Sequence, residues 1–562
     1  MSDQPAVRGR LRARLRRHRP RGSTLLLLAG LAVQLAPVLL SPWVLTQDGP
    51  AHVDGAWVLL HHGDDSPLGD LLREHYAVDL TPVPNMLTTL LLTVLLTVLG
   101  PAAAEKVVVA GFVLLLVAGL RYALRGVDRR AGWLAVAALP LAGGELVAYG
   151  FYNFCWGVAL ALFAIGWALR RRDGWDAAGG VVLSVLLLLT WSAHLMPWLV
   201  AAGVTAGLGL VRAVADRRDG LPAGRALVRH MGAPALALLP SAALSAHYVL
   251  GNDGGAGAAA GVPGLARVGS LLTLYRPLVV SSWWEIVPAA VVAVLLAGLL
   301  VVAVRRPARP GDPQTVGSRA DRVALGVATG VATAAFLLSP SRLGDEYGFL
   351  PDRLAWFPPL LLVLFCGTRP PSRVALRRIA AGGLVLAASA AVLVRLPTQV
   401  QDQRDAAEVV SVAADLPPGS TFAVLRFSGH QAALAPLSGE PDPLRHLSSR
   451  LAVLTQGVDL GHYEAIFPYF QVRFTPTPGV RRLIDPDLRG LDQVPPTVDL
   501  PAAGQHLDYV LVVGLDRAEG WVRQAHRTAR VLDDLRAGYQ EVAESGPSGY
   551  VEVWRLRRST GG

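Results

Sequence analysis

Apolar runs close to twenty residues long recur from about residue 24 to residue 396, separated by short stretches that carry arginine. A run of that length makes a helix about 30 Å long, the thickness of a bilayer's hydrocarbon core. A soluble core has no place for so many helices that are apolar on every side. Composition agrees: the chain is 52% hydrophobic and 17% charged, with a mean hydropathy of +0.41. The pattern predicts a polytopic α-helical membrane bundle of about eleven spans, at 24–45, 104–121, 131–148, 152–169, 177–191, 195–212, 231–249, 285–304, 323–339, 354–368 and 378–396.

The apolar stretch 84–99 decides the topology. Read as a helix lying in the outer interface, it puts the loops 1–23, 121–130, 170–176, 212–230, 305–322 and 369–378 on the cytoplasmic side. Those segments hold 29 arginines, against five in the outer loops. The asymmetry follows the positive-inside rule, so the N-terminus is expected inside. The basic segment 1–23 before the first span reads as the start of an uncleaved signal anchor. Lys106 is the one lysine, and no basic stripe alternates with aromatics. The net charge of +10 therefore points to a lipid bilayer and not to nucleic acid. Cys155 and Cys366 fall near opposite ends of the membrane, too far apart for a disulfide.

Beyond residue 399 the chain turns polar. Asp405–Asp415 reads as a helix stopped by Leu416-Pro417-Pro418-Gly419. Thr421–Phe427 and Tyr509–Val513 read as buried strands, Glu519–Arg536 has helical spacing, and Tyr550–Leu556 alternates like a closing strand. Three parts follow: a basic cytoplasmic segment 1–23, a transmembrane part 24–399 with a long first outer loop 46–103, and a small extracytoplasmic α/β domain 400–562. Gly251–Gly261 reads as a flexible outer loop.

Ionisable residues gather at the outer helix mouths, while the spans are largely free of them. Asp48 lies in Leu45–Trp57, "LTQDGPAHVDGAW", with His52 one helical turn later. Asp48 is also a favoured helix cap, with Pro50 suited to the first turn. Glu145, in "PLAGGELVAYGFYNF", is costly at a membrane boundary unless it is paired, snorkels to water or lines a cavity. His194 stands between Trp191 and Trp198 as a helix-end group or a ligand. Arg353, in "FLPDRLAWFPP", pairs with Asp352, a lipid headgroup or a substrate phosphate. The chain has no Walker motif, GxSxG, HExxH or CxxC, so ATP-driven pumping and the common hydrolase and redox sites lack their motifs.

This arrangement resembles the C-type (GT-C) membrane glycosyltransferases, which use polyprenyl-phosphate sugars. The likeness covers about residues 20–400. In that superfamily the first helix runs outward into a long loop with an acidic catalytic motif near its start, the place Asp48 fills here. "TPVPNMLTTLLLTVLLTVLGPAAAEK" is similar to the family's Pro-initiated interfacial helix and its small-Glu pair before the second span. Glu145 fits the further acid after the third span. Arg353 with Pro358-Pro359 fits the family's Arg-then-prolines element. Many members carry a second acid beside the first; Gly49 stands there in this chain.

The resemblance implies Asp48 as base, Glu145 as a further acid and Arg353 on the lipid phosphate; His52 and His194, polar groups at helix mouths, join Glu145 and Arg353 as candidates for contacting substrate. It implies a polyprenyl-phosphate sugar donor and an extracytoplasmic acceptor (cell-envelope glycan, lipid or protein), with inversion at the sugar. The implied setting is a multi-pass plasma-membrane protein. No cofactor follows for certain; a divalent cation is the one candidate, with the metal ligands unknown. Two other classes stay open. A lipid or glycan transporter or flippase calls for ionisable residues at mid-membrane. A non-catalytic scaffold presenting the outer domain is the other.

Overall fold

The computed structural model describes residues 22–251, 264–305, 315–341, 348–429, 441–467, 469–475, 491 and 494–557. The basic segment before residue 22, all but the first residue of Gly251–Gly261, and Asp345 and Glu346 lie outside the described residues.

Among the described residues, nine helices are long and apolar enough to cross a membrane. They are Gly22–Leu40, Pro101–Val127, Tyr152–Arg170, Leu195–Arg218, Ala223–Gly251, Trp283–Arg305, Arg319–Leu338, Leu350–Gly367 and Val374–Asp415. Ala177–Ala193 is apolar and shorter. So is Leu87–Leu96, whose ten residues reach only about 15 Å, half of a hydrocarbon core. The Tyr152–Arg170 helix is 78% buried and forms the centre, whereas Gly22–Leu40 is 17% buried and presents Leu25, Leu28, Leu39 and Leu40 outward.

The helical span expected at 131–148 is not an α-helix. Arg129–Ala138 and Pro140–Gly143 wind as 3-10 helices, followed by the single turn Glu145–Ala148. Its residues are mostly small, which tolerates the eclipsed side chains of a 3-10 helix, and Pro140 brings no amide hydrogen. Leu134, Ala135, Val136, Ala138 and Leu139 are fully buried inside the bundle. In sequence, a segment buried by protein and one buried by lipid look the same.

Pro101–Val127 and Tyr152–Arg170 meet along small residues. A Cβ on Gly119 would lie 2.8 Å from the Ala159 carbonyl oxygen, and one on Gly166 2.8 Å from the Ala123 Cα. Close approach of this kind packs membrane helices without a hydrophobic driving force. It brings Glu105 and Tyr152, near neighbouring ends of the two helices, within 2.9 Å. At the opposite end, the buried Asp321 carboxylate joins its own helix to Leu195–Arg218 and to the turn after Tyr152–Arg170, accepting from Arg212 Nη2 at 2.6 Å and from Arg172 Nε at 2.6 Å. Cys155 and Cys366 are free and buried.

The helix expected to begin at Asp405 is the end of a longer one. Val374–Ser411 runs without a break through Pro397 and past residue 399. Its last turns bury Ala406 and Val409, with Val412 just beyond, against Phe422, Leu511 and Val553 of the C-terminal sheet. That sheet has the order β3-β2-β5-β7-β6, where β2 is Thr421–Arg426, β3 Val458–Asp459, β5 Tyr509–Val513, β6 Tyr539–Glu544 and β7 Val551–Leu556. β3, β2 and β5 are parallel, and β5, β7 and β6 antiparallel. The helix expected over Glu519–Arg536 divides into Gly520–Gln524 and His526–Gly538.

A second, two-stranded sheet joins the parts of the molecule. β1, Tyr76–Val78 between the helices Gly22–Leu40 and Pro101–Val127, pairs antiparallel with β4, Val472–Phe474, with Tyr76 opposite Phe474. The segment between the first two membrane helices and the C-terminal region therefore share backbone hydrogen bonds.

Candidate functional site

The helix Gly49–His61 starts directly after Asp48. Asp48 holds the N-cap position, but its side chain makes no capping hydrogen bond. The chain enters this helix across the turn after Glu145–Ala148: the Gln47 amide donates to the Ala148 carbonyl at 2.9 Å and the Asp48 amide to Tyr149 at 3.0 Å. Gly150 makes that crossing with φ +83°, and a Cβ on it would lie 2.8 Å from the Gly49 nitrogen. At Gly49 itself the Cβ position is filled by the Glu105 carboxylate, the Thr46 hydroxyl and the Tyr152 hydroxyl.

Asp48 is 5% exposed. The Gln47 amide nitrogen donates to its Oδ1 at 3.2 Å, and His446 Nε2 stands 3.6 Å from the same oxygen. The Tyr463 hydroxyl also bonds the carboxylate, and its ring stacks on His446 with centroids 4.2 Å apart. Burial raises the pKa of Asp48 above the ordinary carboxylate value, and the charges of His446 and His52 pull it part of the way back.

His52, one turn along, is buried between the Gly150 carbonyl, 2.9 Å from Nε2, and the Glu464 carboxylate at Nδ1. Burial alone would lower its pKa; the Glu464 carboxylate outweighs that and brings it to about 9. His52 is therefore a cation at neutral pH, paired with an acid from the C-terminal region. Deeper in the same layer, His462 Nδ1 lies 3.3 Å from Asp54 Oδ2. Burial takes His462 down to about 4, so it is neutral. Burial and the nearby Asp459 and Glu464 carboxylates push Asp54 well above its ordinary range.

Arg353 comes from the first turns of the Leu350–Gly367 helix. Its Nη1 donates to the Gly348 carbonyl at 2.8 Å and its guanidinium lies 4.8 Å from the Phe151 ring centroid. Asp352 pairs with Arg276, so Arg353 is left to the site. Its Nε is buried without a hydrogen-bond partner among the described residues, and it lies within electrostatic reach of Asp48, Tyr463 and Tyr469. Tyr149, Phe151 and Phe349 form an aromatic cluster beside it, with ring centroids 5.1–5.4 Å apart.

Asp48, His52 and Arg353 thus gather at one site. His194 is within electrostatic reach of Arg353, but its Nδ1 accepts from the Met196 amide at 3.1 Å and caps the Leu195–Arg218 helix. Glu145 is buried at the start of the turn that receives Gln47 and Asp48.

Sequence reading missed His446, Tyr463 and Glu464, and also Arg450, the partner of the Glu105 noted there only as part of the small-Glu pair before the second span. Arg450 Nη2 donates to Glu105 at 2.7 Å, with both side chains at or below 2% exposure, and its guanidinium lies 4.7 Å from the Trp43 ring centroid. The one signal for Tyr463 and Glu464 was the aromatic-rich run "GHYEAIFPYF" in an otherwise polar region; His446 had none. Among the described residues, no group of three or more His, Cys, Asp or Glu is arranged to hold a metal ion.

No family model and no curated protein sequence matches the chain. Among solved structures it is similar to the crystal structure of ArnT from Cupriavidus metallidurans bound to undecaprenyl phosphate. The identity is 12%, 96% of this chain and 98% of that chain are covered, and the TM-score is 0.49. A likeness at that score carries nothing about function.

Proposed function

We propose that the protein is a membrane glycosyltransferase that moves a sugar from a polyprenyl-phosphate donor to an acceptor on the outer side of the plasma membrane. The observation that carries this reading is Asp48, buried and unused as a cap, within electrostatic reach of Arg353, whose buried Nε lacks a protein partner among the described residues. A carboxylate next to a cation at the mouth of apolar helices suits one reaction class. The acceptor oxygen forms a bond to the anomeric carbon as the carbon–oxygen bond to phosphate breaks. Asp48 takes the acceptor proton, and the electron pair leaves on the phosphate, where Arg353 offsets the charge. Phosphate leaves without an acid, so one carboxylate is enough, whereas a glycoside hydrolase uses two. A single displacement inverts the anomeric centre.

Arg353 opens an apolar helix, so a phosphate held there leaves its polyprenyl chain at bilayer depth. His52 adds a second positive charge. His194 is a substrate-binding candidate through its nearness to Arg353, and Glu145 through its burial beside the Asp48 turn.

The test is binding and turnover of a labelled polyprenyl-phosphate sugar panel with wild type, Asp48→Asn and Arg353→Ala. The reading expects polyprenyl phosphate from wild type, donor binding without turnover in Asp48→Asn, and weakened donor binding in Arg353→Ala. A wild type that binds no donor, with both variants unchanged, sinks it.

A further inference from the structure

Resting on that reading, we propose that His446 is a positioning residue: its imidazole, supplied by the C-terminal region, holds the Asp48 carboxylate in place and in its charged form, so that the base is complete only when that region is docked on the first outer loop. The geometry is specific. His446 Nε2 is 3.6 Å from Asp48 Oδ1, and the ring is stacked against Tyr463, which bonds the same carboxylate. Two partners from one side thus orient Asp48, which its own helix does not hold by capping.

Four charged or titratable groups face Asp48. His52 comes from its own helix, with Glu464 behind it. His446 comes from the turn before Ser448–Thr455, Tyr463 from the 3-10 turn Tyr463–Ile466, and Arg353 from the Leu350–Leu354 turn. Glu464 already compensates the charge of His52. Arg353 is reserved for the phosphate. That leaves His446, 3.6 Å from Asp48 Oδ1, as the imidazole whose positive charge favours the ionised carboxylate.

The docking is built into the fold. The β1–β4 pairing, the Arg450–Glu105 ion pair and the Gln47 side chain, whose Oε1 accepts from the Asp442 amide at 3.1 Å, all tie the C-terminal region to residues around Asp48. Once Asp48 has taken the acceptor proton and product has left, the proton is released to water and the pair is restored.

Titration of full-length protein by difference infrared spectroscopy tests the pairing without substrate. The protonated-carboxyl band absent from Asp48→Asn reports Asp48. Loss of an opposite charge at this range moves a carboxylate midpoint up by about 1 to 3 pH units. His446→Gln is expected to show that rise, and the acidic limb of kcat/KM should move up with it, with activity regained at higher pH. His446→Asn carries the same expectation if the glutamine variant does not fold. An unmoved midpoint, or a uniform fall in rate with the limb in place, overturns the proposal. A raised midpoint in a protein whose wild type turns over no lipid-linked sugar supports the pairing and overturns the glycosyl-transfer reading instead.

Discussion

The carboxylate of Glu105 occupies the space that a side chain on residue 49 would need. Glu105 is itself held by the Tyr152 hydroxyl at 2.9 Å and by Arg450 at 2.7 Å, so it cannot swing away without breaking a buried ion pair. The glycine beside Asp48 is therefore a consequence of packing. Gly49→Ala is expected to cost about 1–3 kcal/mol, the usual range for overpacking a tight site. Gly49→Asp should be worse, because it adds a second carboxylate against Glu105, and it should yield little folded protein. Thermal unfolding in detergent checks both; an aspartate variant as stable as wild type would falsify the steric account.

Asp48→Asn keeps the shape of the side chain and removes its capacity to take a proton. General base catalysis contributes about 10²–10⁴-fold to a rate. The expected outcome is a kcat lower by that factor with donor binding retained, read by single-turnover release of polyprenyl phosphate. The variant should unfold at nearly the wild-type temperature, since Asp48 caps nothing. A large loss of stability with intact kcat would show a structural residue.

What the sequence disclosed and what it hid divide along local and distant relationships. The apolar runs, the short 84–99 helix and the strand Tyr509–Val513 are written in consecutive residues, and the structure has each of them as a local element. Asp48, His52 and Arg353 were visible as polar residues at apolar helix mouths, where such groups are costly without a use. The partners of Asp48 were not visible. His446 and Tyr463 meet it only because β1 pairs with β4 and Ser448–Thr455 lies under the first outer loop. No period or cap in either segment encodes that meeting. The 3-10 winding of Arg129–Ala138 was hidden for a related reason: its small residues suit several helix types, and the bundle around them selects one.

The Arg450–Glu105 pair predicts a non-additive result. Both side chains are buried, so removing one partner strands a charge out of water, which costs about 3–5 kcal/mol. Arg450→Met and Glu105→Gln should each destabilise the protein by an amount in that range. The double variant should recover much of the loss, because replacing a whole buried pair is often close to neutral. A double-mutant cycle by denaturant unfolding measures the coupling. Strict additivity would mean that the ion pair does not clamp the C-terminal region to the second span.

The His52–Glu464 pair makes stability depend on pH in a defined direction. Glu464 holds the folded-state pKa of His52 at about 9, above the roughly 6.5 of an unfolded chain. The folded protein therefore binds the proton more tightly than the unfolded one. The stabilisation is fully present below about pH 6.5 and is lost as pH rises through about 9. Unfolding temperatures measured across that window should fall for wild type. Glu464→Gln removes the carboxylate that raises His52, so its burial then favours the neutral ring, and the decline over the same window should flatten. A Glu464→Gln profile that falls in parallel with wild type would place the pH dependence elsewhere in the molecule.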